Sequence, residues 1–438
     1  MSGPSKARGL IIAAPSTGSG KTVITTGLIA AWREAGVHVA AAKAGPDYID
    51  AAFLAAAAGR PAVNLDCWAM RPGLLRQLAM THAAGADLLI LEGVMGLFDG
   101  GSDGAGSTAD LAKALGLPAV LVIDASRQAQ SAAALAHGFA TFDEHVVIAG
   151  VILNRVASER HASLLRDAFE AAGIEVFGII PPDAALDLPS RHLGLVQAGE
   201  NASLEQVIGL AAQLAATHID LGRLVAAARA LAATDTREAT PLPPPGQRIA
   251  VAHDQAFAFF YDHVLAGWRA KGAEVSSFSP LGDEAPDPSA EAVILPGGYP
   301  ELHAGRLSAN DTFINGLRSA AGSGALIYGE CGGYMVLGDG LVDADGIRHR
   351  MAGLLALETS FAEPRRTLGY RRAIAGAGQP LVEAGTVFRC HEFHYAHVLH
   401  EAGTPLFSIT GMRGEDLGQA GLTKARVAGS FMHVIDTE

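Results

Sequence analysis

Between Gly9 and about Pro182 the chain repeats one pattern, a short apolar run followed by a helical segment. The runs read GLIIAAP, VHVAAAKA, DLLILEGV, AVLVIDAS, VVIAGVILN and IEVFGIIPP. They lack polar alternation, so both faces of each strand must be covered, and the pattern specifies a parallel sheet with helices on both sides. The segment REATPLPPPGQR breaks the rhythm, because its four prolines prevent a helix and favour extended chain. The rhythm restarts in RIAVAHD, AEVSSFS, AVILPGG and GALIYGE, and beyond Met351 the pattern turns strand-rich. A chain of 438 residues exceeds what one hydrophobic core usually organises. Two α/β domains are expected, 1–236 and 248–438, joined by a proline-rich linker at 237–247. The Ala-rich stretch from Leu204 to Ala233 is interrupted by His218, Asp220 and Arg223. It falls short of the roughly 18 uninterrupted apolar residues of a membrane span and reads as a surface-packed helix.

The stretch APSTGSGKT, Ala14 to Thr22, lies directly after a buried strand and directly before the helical TVITTGLIAAWREA. This is the context of a phosphate-binding loop, although Pro15 stands where the usual GxxxxGK[ST] pattern opens on glycine. Gly18 and Gly20 let the backbone curl so that N–H groups point inward, with Thr17 and Ser19 completing the loop. The following helix adds partial positive charge, Lys21 reaches the outer phosphates and Thr22 is placed to ligate magnesium. Glu92 ends the apolar run DLLILEG as a Walker-B-like acid would, beside that ion. Asp47 and Asp50 in GPDYID, and Asp99 in GLFDG, fall in loops after apolar runs, where open α/β sheets bind ligands. They are candidates for a second magnesium or for orienting a phosphorylated intermediate. Asn154, at the end of GVILN, is a candidate for reading the adenine edge, or a simple turn asparagine.

In the second half, YGECGGYM has the GxCxG form of a nucleophile elbow, which exposes its central side chain between a strand and a helix. Cys331 would attack a carbonyl, with an oxyanion hole from the N–H of Gly332 and one from LPGGYPELH, here assigned to Gly298. A thiol of ordinary pKa near 8.5 needs a base. The chain has 16 histidines, and spacing alone does not separate His433 from His391 or His394. RCHEFHYAH is not an HExxH zinc pattern, and a strand would turn His391 and His394 to opposite faces, so no metal is expected there. Cys390 reads as a small buried residue.

Composition narrows the function classes. A net charge of −13 argues against a nucleic-acid partner, and 49% hydrophobic with 18% charged residues describes a packed enzyme. Three cysteines form no disulfide framework and fit the cytoplasm. The N-terminal apolar run continues into the glycine loop, so neither a signal peptide nor a membrane partner is expected.

The motifs APSTGSGKT, KAGPDYID, EGVMGLFDG, VAHDQAFAFFY, LPGGYPELHA, YGECGGYMVLG and HEFHY occur in the order found in one family. Over essentially its full length the chain resembles the cobyrinic or hydrogenobyrinic acid a,c-diamide synthases of cobalamin biosynthesis. The resemblance implies a dethiobiotin-synthetase-like, P-loop NTPase-like domain that uses MgATP, followed by a class I glutamine amidotransferase-like domain. It implies that Cys331, helped by His433, frees ammonia from L-glutamine, while the first domain phosphorylates an acetate carboxylate of a tetrapyrrole; ammonia then displaces phosphate, twice. Asp47, Glu92 and Asp99 would carry metal and substrate work, and Tyr48 would contact the macrocycle. Triad amidotransferases place an acid two residues after the histidine; here that position is Ile435, with Asp436 one further, so a Cys-His dyad is expected. Cys390 stands where a glycine is expected before HEFHY. The alternatives are cobyric acid synthase, a nickel-sirohydrochlorin a,c-diamide synthase or, in another class, a ParA/MinD-like ATPase switch, which would have no use for Cys331. A homodimer is the base-rate expectation.

Overall fold

The computed structural model describes residues 8–182, 190–191, 194–195, 204–231 and 241–438. Contacts divide these into two units. The first holds 8–68 and 72–231, and the second holds Ala69–Arg71 and 241–438. Residues 237–240 of the expected linker lie outside the described residues, and 241–244 carry no regular structure.

In the first unit seven parallel strands form the sheet: β1 (Arg8–Ala13), β2 (Val39–Ala44), β3 (Val63–Leu65), β4 (Leu88–Glu92), β5 (Ala119–Asp124), β6 (Ile148–Asn154) and β7 (Val176–Ile179). Their order is β3-β2-β4-β1-β5-β6-β7, and Arg229–Ala230 adds an antiparallel pair to β1. Leu10, Ile11 and Ile12 of β1 are fully buried, as are Leu89, Ile90 and Leu91 of β4, because helices cover both faces. Those helices are α1 (Lys21–Glu34), α2 (Tyr48–Ala58), α3 (Pro72–Ala83), α4 (Thr108–Leu115), α5 (Ser131–Phe142) and α6 (Glu159–Ala171), followed by α7 (Leu204–His218) and α8 (Leu221–Ala227).

The Ala-rich stretch therefore forms two helices where one was expected. Asp220 caps α8 by accepting the Arg223 N–H, and Ile219 bridges to Gly178, which diverts the chain between them. Small residues let α7 approach α1 closely, for a methyl on Gly27 would collide with the Ala211 carbonyl.

The second unit is a ten-stranded mixed sheet. Its strands are β8 (Arg248–Ala252), β9 (Glu274–Phe278), β10 (Ala292–Leu295), β11 (Leu326–Glu330), β12 (Thr367–Ala375), β13 (Val387–His394), β14 (Thr404–Thr410), β15 (Asp416–Lys424), β16 (Val427–Ser430) and β17 (Met432–Thr437). The order is β9-β8-β10-β11-β16-β15-β14-β12-β13-β17, parallel from β9 to β16 and antiparallel beyond. Only Phe431 separates β16 from β17, so the antiparallel half curls back and returns β17 to the end of β11. The Val434 N–H confirms this closure by donating to Glu330 Oε1 at 3.2 Å. Helices α9 (Asp262–Ala270), α10 (Ala304–Ala309), α11 (Asp311–Gly322) and α12 (Gly332–Leu337) complete the unit. A smaller sheet joins Gly340–Val342, Arg348–Arg350, Ala356–Ser360 and His397–Ala402.

Candidate functional site

The first unit gathers its polar residues at the carboxyl ends of β1, β2 and β4. Gly18 and Gly20 hold φ of 84° and 94°, left-handed values that let the loop turn into α1. A methyl on Gly20 would collide with Asn154 Nδ2, and that amide donates to the Ser19 carbonyl at 2.9 Å. Asn154, a candidate for adenine reading, thus braces the loop from the end of β6. Ser19 Oγ donates to the Ser16 carbonyl, and Thr17 and Gly18 are exposed. On the other side the Leu97 N–H donates to the Ala14 carbonyl, and Asp99 closes its own turn by accepting the Gly96 N–H.

Lys21 opens α1 and donates to the carbonyl of Met95, a residue held at φ 47°. Burial, and then the charge of Lys43, hold the Lys21 ammonium below its usual pKa, against the pull of Glu92, Asp50 and Asp99. Thr22 Oγ1 donates to Glu92 Oε1 at 2.6 Å, and Lys43 Nζ reaches the same oxygen at 3.0 Å and Asp50 Oδ2 at 2.7 Å. Burial pushes the Glu92 carboxyl up to about 7, while Lys43 pulls it down. Lys43 is itself raised despite burial by Asp50, Glu92 and Asp47, so a charged lysine holding this acid cluster is the arrangement the geometry favours.

A magnesium ion fits here. Glu92 Oε2 is buried without a hydrogen-bond partner among the described residues, and the Thr22 hydroxyl adjoins its carboxylate. Asp47, the third expected metal residue, also caps a helix. Its Oδ1 accepts the N–H groups of Ile49 and Asp50 at the start of α2, and burial followed by the neighbouring Asp50 raises its carboxyl to about 6. Tyr48 follows it as the first residue of α2. No group of three or more histidine, cysteine or acidic residues suited to a metal occurs among the described residues. Other ligands to such an ion would be phosphate oxygens and water.

In the second unit Cys331 sits between β11 and α12 at φ 47° and ψ −104°, a conformation an L residue holds only when its surroundings impose it. The surrounding glycines permit it. A methyl on Gly333 would collide with the Leu295 carbonyl, and one on Gly332 would lie 3.1 Å from the Gly298 nitrogen. The backbones of Gly332 and Gly298 therefore approach each other closely beside the cysteine.

A methyl on Gly297 would overlap His433 Cε1 and lie 3.3 Å from Nε2 and 3.4 Å from Cys331 Cβ. The imidazole and the thiol therefore flank one glycine, with Cys331 4% and His433 2% exposed. Burial, followed by the charge of Glu301, pushes the Cys331 thiol up, so the resting sulfur keeps its proton.

The HEFHY segment lies in β13. His391 pairs with His433 across the strands, and burial followed by the charge of His433 lowers it to about 3. His394 stacks on Phe431 at 3.9 Å between ring centroids, and Glu392 accepts from Arg371 Nε at 2.8 Å. Cys390 is fully buried.

Three participants escaped the sequence reading. Lys43 is the only charged residue within the fully buried strand β2, a placement that itself signals a partner. Glu330 ends β11 as Glu92 ends β4, and its Oε2 lies 3.7 Å from His433 Nδ1. Arg71 takes Asp436 out of contention as a triad acid. Its Nε and Nη2 donate to Asp436 Oδ2 and Oδ1 at 2.9 and 2.8 Å, and the Arg71 N–H also donates to Oδ2.

Together these sites define a nucleotide-binding domain fused to a glutamine amidotransferase domain. Residues 10–196 match the CobQ/CobB/MinD/ParA nucleotide binding domain family, and 248–438 the CobB/CobQ-like glutamine amidotransferase domain family. The chain is 56% identical to the hydrogenobyrinate a,c-diamide synthase of Rhizobium meliloti (strain 1021), covering 98% of this chain and 99% of that one. It is 55% identical to the enzyme of the same name from a Sinorhizobium species, covering 98% of each chain. With that of Brucella suis biovar 1 (strain 1330) it shares 52% over 98% of each chain. The chain belongs to the hydrogenobyrinate a,c-diamide synthase family, glutamine-using ligases that form amides.

Proposed function

We propose that the protein amidates the a and c acetate carboxylates of hydrogenobyrinic acid, or of its cobalt-bearing counterpart, using ATP and glutamine within cobalamin biosynthesis. The observation that carries this reading is one chain holding both a phosphate loop joined to Glu92 through Thr22 and a buried cysteine elbow beside His433. A nucleotide switch has no use for the second. The names of the relatives supply the substrate.

At the second unit, His433 takes the Sγ proton as Cys331 attacks the amide carbon of glutamine. The N–H groups of Gly332 and Gly298 receive the oxyanion. Collapse breaks the C–N bond, His433 returns the proton to the leaving nitrogen, and ammonia departs from a thioester that water hydrolyses to glutamate.

At the first unit, Lys21 leaves the Met95 carbonyl for the nucleotide phosphates, which the start of α1 also attracts. A substrate carboxylate attacks the γ-phosphorus and ADP leaves, because a free carboxylate is inert to ammonia. Ammonia then attacks the acyl carbon and phosphate leaves. Magnesium, held by Thr22 and Glu92, would neutralise phosphate charge. In this reading Asp47 and Asp99 would serve metal and substrate, Tyr48 would contact the macrocycle, and the three unpaired cysteines suit a reducing cytoplasm.

Purified protein given MgATP, glutamine and hydrogenobyrinic acid should yield first a mono- and then a diamide by mass spectrometry, with one ADP per amide. ATP hydrolysis without amide formation, or amides at other side chains, would overturn the proposal.

A further inference from the structure

The resemblance to triad amidotransferases implies an acid two residues after the histidine. Here that position is Ile435, buried and apolar, and the next acid, Asp436, is held by Arg71. Strand alternation also turns Asp436 to the opposite face from His433.

We propose that Glu330, the residue immediately before the nucleophile, takes the role of the missing acid and is a positioning residue for His433. Three observations point the same way. Glu330 Oε2 lies 3.7 Å from His433 Nδ1, the ring nitrogen remote from the Gly297 and Cys331 side, where Cε1 and Nε2 lie. The other oxygen, Oε1, accepts the Val434 N–H, so the carboxylate is tied to the backbone directly after the histidine and follows it if β17 shifts. Glu330 is 3% exposed and borders an apolar cavity lined by Phe260, Val264, Trp268, Ile294 and Val434. Both side chains are nearly fully buried, so their attraction is screened less than at a surface.

A separation of 3.7 Å exceeds a hydrogen bond, and such contacts tighten when the substrate complex forms. The acid fixes the tautomer with Nδ1 protonated, leaves Nε2 free to take the thiol proton, and stabilises the imidazolium that results. The other titratable groups facing His433 are His391 on β13 and Cys331 itself, with Glu301 and Glu392 acting on the sulfur.

The test uses the full-length protein and follows glutamate release from glutamine beside ammonia-dependent amidation. Only the first should need Glu330, so its failure is distinguishable from failure of the substrate assignment. Glu330→Gln can still accept from the Val434 N–H and is the informative variant. We expect kcat for glutamate release to fall about 10- to 100-fold with KM for glutamine little changed. Ammonia-dependent amidation should persist, and the acid limb of the kcat/KM profile should move to lower pH as the imidazolium loses its partner. Glu330→Asp should recover part of the rate. A wild-type kcat in Glu330→Gln would overturn the inference. So would an equal loss in the Gln and Asp variants with an unmoved pH profile, which would mark Glu330 as merely structural.

Discussion

Both units place chemistry where a parallel strand turns into a helix, yet they build that turn in opposite ways. The phosphate loop is open. Its positive φ values fall on glycines, Thr17 and Gly18 are exposed, and its charges sit in a network of Lys21, Lys43, Glu92 and Asp50. The cysteine elbow is closed. Its positive φ falls on Cys331 itself, the glycines around it serve close approach, and its sulfur is buried and protonated. Under the proposed function, the difference follows from the ligands. A polyanion needs many backbone N–H groups and fixed countercharge, whereas a single amide carbon needs one nucleophile held under strain with two N–H groups behind it.

The largest test of this division is to remove one key side chain from each turn. Cys331→Ala should abolish glutamine-dependent amidation while leaving activity with added ammonia near wild type. Lys21→Ala should abolish amidation with either nitrogen source. The measurement is diamide formation with glutamine and with ammonium chloride. Retained glutamine use in Cys331→Ala would show that the two turns do not divide the reaction as described.

A smaller effect separates steric from conformational use of glycine. Gly297→Ala puts a methyl onto His433 and Cys331 and should cut glutamate release by about 100-fold, since misplacing reacting groups by an ångström has that scale. Gly18→Ala meets nothing within 4 Å, and only its φ of 84° opposes the change. It should cost about 1 kcal/mol and slow ATP-dependent amidation only a few-fold. Steady-state kinetics of the two half-reactions would expose an inversion of that ranking.

What was legible in the sequence also differs between the units. The six apolar runs of the first half correspond to β1, β2 and β4 to β7 because strands buried on both faces are apolar along most of their length, with polar residues such as Lys43, Glu92 and Asn154 at or near their carboxyl ends. β3 went unread, since Val63–Leu65 is too short to show a period. In the second unit RVAGSFMHVID reads as one apolar segment, but it forms two strands in different places of the sheet. Local pattern does not report that split, because it depends on pairing β17 with β13. The same non-local pairing brings His433 to Glu330, about a hundred residues away, and pairs Arg71 with Asp436. Glycine and cysteine motifs are local and could be read directly. Their ionic partners arrive through topology.

The remaining comparison concerns acid stability, where the units should respond with opposite sign. In the second unit His391 is held neutral down to about pH 3, whereas in the unfolded chain it takes a proton near 6.5. Below 6.5 the unfolded state therefore binds more protons, and this histidine removes up to about 1.4 kcal/mol of stability per pH unit of acidification. In the first unit Asp47 and Glu92 are raised to about 6 and 7, so between those values and about 4.5 the folded state binds more protons and gains stability as pH falls. Native-state hydrogen exchange at pH 7 and pH 5, corrected for intrinsic rates, should show β13 and β17 losing protection while β1 and β4 hold theirs. His391→Gln should flatten the response of β13 and β17 alone. A uniform loss across both units would mean that the buried ionisable groups do not set the difference between them.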